Sequence, residues 1–162
     1  MSDLLPFPDA PDFPERFRRL TALKQAQALL QGKHRHERRY PQPAHGGDRQ
    51  SAAFRARQQN RFQRDYSAPE RTGFTNFAAW LLGCTARSVQ VTVRIAERIP
   101  PDLQAALAET QVAERKRDLV RIASMPPERH QQLLKCLEAG ARPDTLDALL
   151  SQIGRPQTRM PL

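Results

Sequence analysis

Residues 74–98 contain two helical patterns separated by a short turn, and this arrangement constrains the fold more than any other segment of the chain. The first pattern predicts a helix over Asn76–Leu82, and Gly83 can adopt the left-handed conformation that ends a helix. The second pattern starts just after Thr85. We predict Thr75 and Thr85 as N-caps, because a threonine hydroxyl can accept a backbone N–H at the start of a helix. The segment therefore predicts a helix-turn-helix.

The second helix of this motif separates its side chains into two faces. Ala79 is small enough to let the second helix cross closely, and Val89 fills the angle between the helices. Val93 and Ala96 fall on the side of Val89 at helical spacing. The opposite side carries Arg87, Gln90, Val91, Arg94 and Arg98. An alternative interpretation of the same pattern is an ordinary helical hairpin with a solvated basic face.

The pattern predicts two classes of contact with double-stranded DNA. Arginine can donate two hydrogen bonds to a guanine edge, and glutamine can pair with an adenine edge. The side chains predicted to contact bases are Thr85, Arg87, Ser88, Gln90 and Val91. The side chains predicted to contact phosphates are Arg49, Arg71, Thr75, Arg94 and Arg98.

The distribution of charge indicates a polyanionic partner. The chain of 162 residues has a net charge of +9. Residues 16–98 hold 17 Lys and Arg against 5 Asp and Glu, whereas residues 1–15 hold four acids and no base. A block of arginine attracts polyanions and makes their binding strongly dependent on salt. Ribosomal RNA or an acidic protein could use the same charge, so charge alone does not select DNA.

Composition predicts a small all-α helical bundle with unstructured ends. Apolar residues make up 39% of the chain and 14 residues are proline, which is too polar a composition for one core that uses every segment. We predict four regions. They are a disordered acidic, proline-rich arm over 1–15, a basic helix-linker-helix segment over 16–65, a helix-turn-helix domain over 66–150 and a tail over 151–162.

Periodic leucines, prolines and glycines predict the individual helices. In the basic segment we expect an amphipathic helix over 16–31, an irregular linker over 32–47 and a marginal helix over 48–65. Proline suits the first turn of a helix and cannot continue one from inside. After the helix-turn-helix we therefore expect helices from Pro101 to Leu107, Arg115 to Ala123, Arg129 to Glu138 and Pro143 to Leu150.

The sequence favours neither catalysis nor a bound cofactor. Cys84 and Cys136 suggest no metal cluster and no disulfide framework. His34 and His36 could contact a metal, but no third and fourth ligand accompany them. The acids of the basic block are scattered, so we expect no enzyme. No apolar run approaches the length of a membrane span and no signal peptide is recognisable, so we expect no membrane contact and a cytoplasmic, nucleoid- or plasmid-associated location.

Three stretches of the chain together resemble one protein family. They are AHGGDRQS at 44–51, the helix-turn-helix at 74–99 with SVQ-x-x-VRIA, and IPPDLQAAL with DLVRIASMPPERHQQLLKCL. In the ParB-like partition proteins of phages and plasmids, similar stretches form the linker before the helix-turn-helix, the motif itself and the helices that follow. The resemblance covers about residues 44–137, the DNA-binding half of the family. It implies a compact helical bundle in which Thr85, Arg87, Ser88, Gln90 and Arg94 face the DNA groove.

The chain departs from longer members of that family at its N-terminus. Those members carry a nucleotide-binding domain with a Gly-x-x-Arg box, and Gly32-Lys33-His34-Arg35 superficially matches that box. The sheet that would present the box cannot be built from 31 mostly helical residues, so we interpret the match as an accidental basic run. The resemblance therefore implies DNA binding, whereas the departure argues against nucleotide hydrolysis and nuclease activity.

These observations predict a sequence-specific DNA-binding protein of a mobile element, acting as a transcriptional regulator or a partition adaptor. One such unit usually binds weakly, so a homodimer or tandem sites are expected. Residues 16–31 and 143–150 are candidate dimer surfaces, with packing on the chain's own core as the alternative. A second hypothesis is a small interaction protein that inhibits or redirects a host complex, with residues 1–15 as the segment that binds the protein partner.

Overall fold

Eight α-helices and one 3-10 helix make up the described part of the chain, with no strand among those residues. The structure, a computed structural model, describes residues 12–41, 67 and 72–153. The helices are α1 (Phe13–Arg18), α2 (Ala22–Arg39), α3 (Phe74–Leu82), α4 (Ala86–Arg98), α5 (Pro101–Ala108), the 3-10 helix (Gln111–Glu114), α6 (Lys116–Ala123), α7 (Pro127–Glu138) and α8 (Leu146–Ile153). The predicted all-α helical bundle is confirmed. No helix within these described ranges has the length and apolar character needed to cross a bilayer.

Two hydrophobic clusters share the helices α2 and α4. The first cluster joins these helices to α5, α6, α7 and α8, with Ile95 of α4 buried among them. The second cluster joins them to α1 and α3, with Val89 and Val93 of α4 inside it. Truncating one such buried aliphatic side chain to alanine lowers the free energy of unfolding by about 2–5 kcal/mol in a packed core. Because α4 contributes side chains to both clusters, its orientation is fixed from two sides.

The turn between α3 and α4 follows its sequence signals closely. Gly83 has φ +64°, and the N–H of Cys84 donates to the carbonyl of Ala79 at 3.0 Å, which closes the end of α3. The hydroxyl of Thr85 accepts the N–H of Ser88 at 3.1 Å and so caps α4. The prediction that Thr75 caps the first helix is wrong. Gly73 is the N-cap and α3 already begins at Phe74, so Thr75 lies in its first turn.

The N-terminal predictions require three corrections. The single helix expected over 16–31 is two helices, because α1 ends at Arg18 and the Thr21 hydroxyl caps α2 by accepting the N–H of Lys24. The linker expected over 32–47 is helical through Arg39, because α2 continues past residue 31 with Gly32 and His36 buried. The ring of His36 lies 5.8 Å from that of Phe74 in α3, a contact that holds the second half of α2 on the helix-turn-helix. The arm expected over 1–15 is part of the fold from residue 12 onward, because Phe13 begins α1 and is only 1% exposed. The helix expected over 48–65 lies outside the described residues.

The helices after the motif occur in the predicted order, and the largest displacement is that of the last helix. The last helix begins at Leu146, not at Pro143, and it extends to Ile153 into the segment expected as a tail over 151–162. At the start of α8 the Thr145 hydroxyl accepts the N–H of Ala148 at 3.2 Å, and the carboxylate of Asp118 in α6 accepts the N–H of Leu146 at 3.2 Å. Buried Gln104 of α5 donates to the carbonyl of Ile99 at 2.7 Å and ties α5 to the end of α4. The 3-10 helix was not predicted.

Candidate nucleic-acid interface

The outer surface of α4 presents four exposed polar side chains at helical spacing. We call this surface the arginine face; it consists of Arg87, Gln90, Arg94 and Arg98. Behind it, Val89, Val93 and Ala96 are buried, as their spacing predicted. The Thr92 hydroxyl adds a hydrogen bond of 2.8 Å to the carbonyl of Ser88 inside the same helix. The arginine face is therefore carried on a helix that the core holds from behind.

The other predicted base-contacting residues lie at the start and along one edge of this face. Thr85 is exposed, although its hydroxyl oxygen already accepts the N–H of Ser88. Ser88 and Val91 are half-buried. The structure thus brings all five predicted base-contacting residues onto one end of α4.

The predicted phosphate-contacting residues divide into two groups. Arg94 and Arg98 belong to the arginine face, and half-buried Thr75 lies in the first turn of α3. Arg49 and Arg71 lie outside the described residues.

A cleft of about 250 Å³ runs beside the arginine face and joins it to α2 and α3. The cleft combines residues from both predicted contact classes with two charged residues that the sequence placed in neither class, Lys33 and Glu97. Its walls are formed by Lys33, Phe74, Thr75, Arg87, Gln90, Val91, Val93, Arg94 and Glu97. The concave surface is therefore continuous with the exposed side of α4.

An ion pair closes one side of this cleft. The Lys33 ammonium of α2 donates to the Glu97 carboxylate of α4 at 2.6 Å, and both side chains are partly exposed. The hydrogen bond to Glu97 raises the pKa of Lys33. Glu97 is the acid among the side chains of α4, so this contact offsets the negative charge beside the arginine face. Sequence reasoning missed both residues, because they are 64 positions apart.

A second lysine reaches α4 from the opposite flank. The Lys116 ammonium at the start of α6 donates to the Ser88 hydroxyl at 3.2 Å. Ser88 and Glu97 are nine residues apart, which at about 100° per residue places them half a turn from one another. The arginine face is therefore bordered by Lys33 on one side and by Lys116 on the other.

The two histidines considered as metal ligands point to different environments. His34 is exposed, whereas His36 is buried beside the rings of Tyr40, Phe74 and Phe77. Positions two apart on a helix are about 200° apart, so the rings do not converge on one ion. Within residues 12–41, 67 and 72–153, no group of three or more His, Cys, Asp or Glu side chains is arranged to hold a metal.

Comparisons of the chain with protein-family models, with curated proteins and with solved structures found no match.

Proposed function

We propose that the protein binds double-stranded DNA sequence-specifically by placing α4 in the major groove. The observation that carries this proposal is the arginine face: a row of exposed Arg and Gln side chains on a helix whose back is fixed in two hydrophobic clusters. An α-helix with side chains is about 10–12 Å wide and the major groove is about 12 Å wide, so such a helix fits the groove.

The positions of the side chains along α4 suggest that some contact bases and others contact phosphates. Arg87 and Gln90 lie in the first turns, the part of a recognition helix that usually contacts base edges. Arg94 and Arg98 lie one and two turns further on, where the helix leaves the groove and phosphates are closer. Base contacts would supply specificity, and phosphate contacts would supply affinity that depends on salt.

The wider role that we propose is partition or transcriptional control in a plasmid or phage. The resemblance of residues 44–137 to ParB-like proteins supports this role. A single α4 offers few base contacts, so we propose that two copies occupy half-sites about one DNA turn apart, roughly 34–36 Å. The apolar anchors of both candidate dimer surfaces, such as Leu23 and Leu149, are already buried inside the chain. Contacts between DNA-bound copies would therefore use other residues.

The proposal is tested by capture and sequencing of genomic DNA fragments at physiological salt. The wild-type protein is compared with the double variant R87A/Q90A and with R129A/Q131A, which removes an exposed Arg and Gln from the surface of α7. We expect a discrete sequence motif with the wild type and with the α7 variant, and loss of that motif with R87A/Q90A. Uniform recovery of all fragments by all three proteins would contradict sequence-specific binding by α4.

A further inference from the structure

Lys116 lies where α6 meets the first turn of α4. It is the first residue of α6, and its ammonium lies 3.2 Å from the hydroxyl of Ser88. The α6 helix packs along α4 through the first hydrophobic cluster, in which Leu119 and Ile122 are fully buried. The backbone of Lys116 is therefore held beside α4 by the core, and the hydrogen bond to Ser88 places its amine there.

Lys116 is half-buried and lacks the carboxylate partner that Lys33, Arg121 and Arg142 have. The carboxylates of Glu97, Asp147 and Glu109 lie within 2.6–3.1 Å of Lys33, Arg121 and Arg142, respectively. Around Lys116, no carboxylate of the described residues lies within the 4.0 Å of an ion pair. An ammonium has three donors, and Ser88 accepts one of them.

The partial burial of Lys116 has an energetic consequence. Burial lowers the pKa of its ammonium, and the nearby Cys84 thiol opposes that shift. Removing a cation from water without a counter-charge is unfavourable. An anion that approached Ser88 would therefore gain both a hydrogen-bond donor and a positive charge that the fold leaves uncompensated.

The location of Lys116 suggests which anion this is. A helix that occupies the major groove has a phosphate backbone on each side, because the groove is about as wide as the helix. Lys33 borders one side of the arginine face and Lys116 borders the other. Lys33 already forms an ion pair with Glu97 at 2.6 Å, whereas Lys116 donates to a neutral hydroxyl.

We infer that Lys116 is a phosphate-binding residue that fixes the DNA strand passing the N-terminal turn of α4. This inference rests on the proposed function and adds a contact from outside the helix-turn-helix. The phosphate oxygen takes up the ammonium donors that Ser88 leaves open, and the Ser88 hydroxyl remains near the same strand. Such a contact is independent of sequence: it orients α4 in the groove and strengthens binding to all DNA alike.

The first test measures how DNA affinity depends on salt. Fluorescence anisotropy with a mixed-sequence duplex and with the selected site is recorded between about 50 and about 200 mM salt for wild type, K116Q, K116R and K135Q. Lys135 is an exposed lysine of α7, so K135Q removes the same charge away from the arginine face. We expect K116Q to lower the slope of log K against log salt by about one on both duplexes. K116R and K135Q should retain the wild-type slope.

The outcomes separate this inference from the proposed function. If K116Q and K135Q have equal slopes while the wild type binds its selected site, the role of Lys116 is wrong and the proposed function stands. If the wild type binds neither duplex, both are wrong.

A second measurement needs no variant and so does not depend on folding of K116Q. The wild-type protein is acetylated with a lysine reagent with and without the mixed-sequence duplex, and modified peptides are quantified by mass spectrometry. Protection of Lys116 but not of Lys135 is expected. Equal modification of Lys116 in the two samples would overturn the inference.

Discussion

The Lys33 ammonium and the Glu97 carboxylate lie 2.6 Å apart and join α2 to the helix that carries the arginine face. Neither residue would be expected to matter for DNA binding from its own sequence context. Their contact places a cation from outside the helix-turn-helix beside Arg94 in one cleft. It also offsets a negative charge that would otherwise repel phosphates at the edge of that face.

The first prediction concerns this ion pair. K33M leaves the Glu97 carboxylate uncompensated beside the DNA, so the binding free energy should weaken by about 1 kcal/mol for every DNA sequence. The K33M/E97Q double variant should recover most of that loss. In the free protein both side chains of the pair are partly exposed, so the pair should add only about 0.2–1 kcal/mol to the free energy of unfolding. Anisotropy titrations and urea unfolding of wild type, K33M, E97Q and K33M/E97Q measure both effects. Additive effects on DNA affinity would refute the electrostatic coupling.

The second prediction separates base contacts from phosphate contacts. R87A should lower affinity for the selected site by about 1–3 kcal/mol and relax the preference at one base position, because it removes a side chain able to pair with a guanine edge. R98A, on the last turn of the same helix, should weaken all sequences equally. Binding to a library of single-base variants of the site measures both. Identical profiles for the two variants would argue against base readout by α4.

The third prediction concerns the turn between the two helices of the motif. Gly83 has φ +64°, a conformation that costs an ordinary residue about 1–2 kcal/mol. G83A should lower the free energy of unfolding by about that amount although the space around the new methyl group is open. G83N is the matched control, since asparagine adopts this conformation more readily and should lose less. Urea denaturation of the three proteins gives the comparison, and equal stability of G83A and wild type would contradict the helix end described for α3.

The fourth prediction addresses the two roles assigned to Thr85. Because its hydroxyl caps α4, T85A should destabilise the protein by about 1 kcal/mol, and T85S should be close to wild type. If the same hydroxyl also contacts a base, T85A should in addition lose specificity at one position of the site. Thermal unfolding reports the cap and binding to single-base variants reports the contact. Unchanged stability of T85A would rule out the cap.

The parts of the fold that the sequence predicted are those with local causes. The hydrogen bonds that end α3 at Gly83 and cap α4 at Thr85 join residues no more than five positions apart. The turn and the start of α4 can therefore be predicted from the nearby sequence. The second half of α2 has a polar sequence with no apolar period, and it packs on the rest of the fold through distant contacts such as that of His36 with Phe74, which is 38 residues away.

The same distinction applies to the site. The arginine face follows from the helical spacing of one segment, and it was predicted. Lys33 and Lys116 reach this face only through the packing of α2 and α6 on α4, which no local pattern encodes. The start of α8 at Leu146, and not at Pro143, has one local and one distant cause. The Thr145 hydroxyl accepts the N–H of Ala148 at 3.2 Å, and the Asp118 carboxylate accepts the N–H of Leu146, 28 residues later in the chain.

The last prediction concerns pH and Lys116. Because burial lowers the pKa of this ammonium in the folded protein below 10.5, the free folded protein loses the proton at a pH where the unfolded chain still holds it. In that window the unfolded state binds more protons, so stability rises with pH. A bound phosphate favours the charged ammonium, so the complex takes up a proton there and DNA affinity falls as pH rises through the lowered pKa.

Anisotropy titrations from pH 7 to alkaline pH at constant salt measure this effect. K116R should remove the dependence, because a guanidinium stays charged across the range. C84S should be measured in parallel, since the Cys84 thiol is the titratable neighbour that acts on Lys116. A decline in affinity that persists in K116R and disappears in C84S would assign the pH dependence to the thiol and would refute the prediction for Lys116.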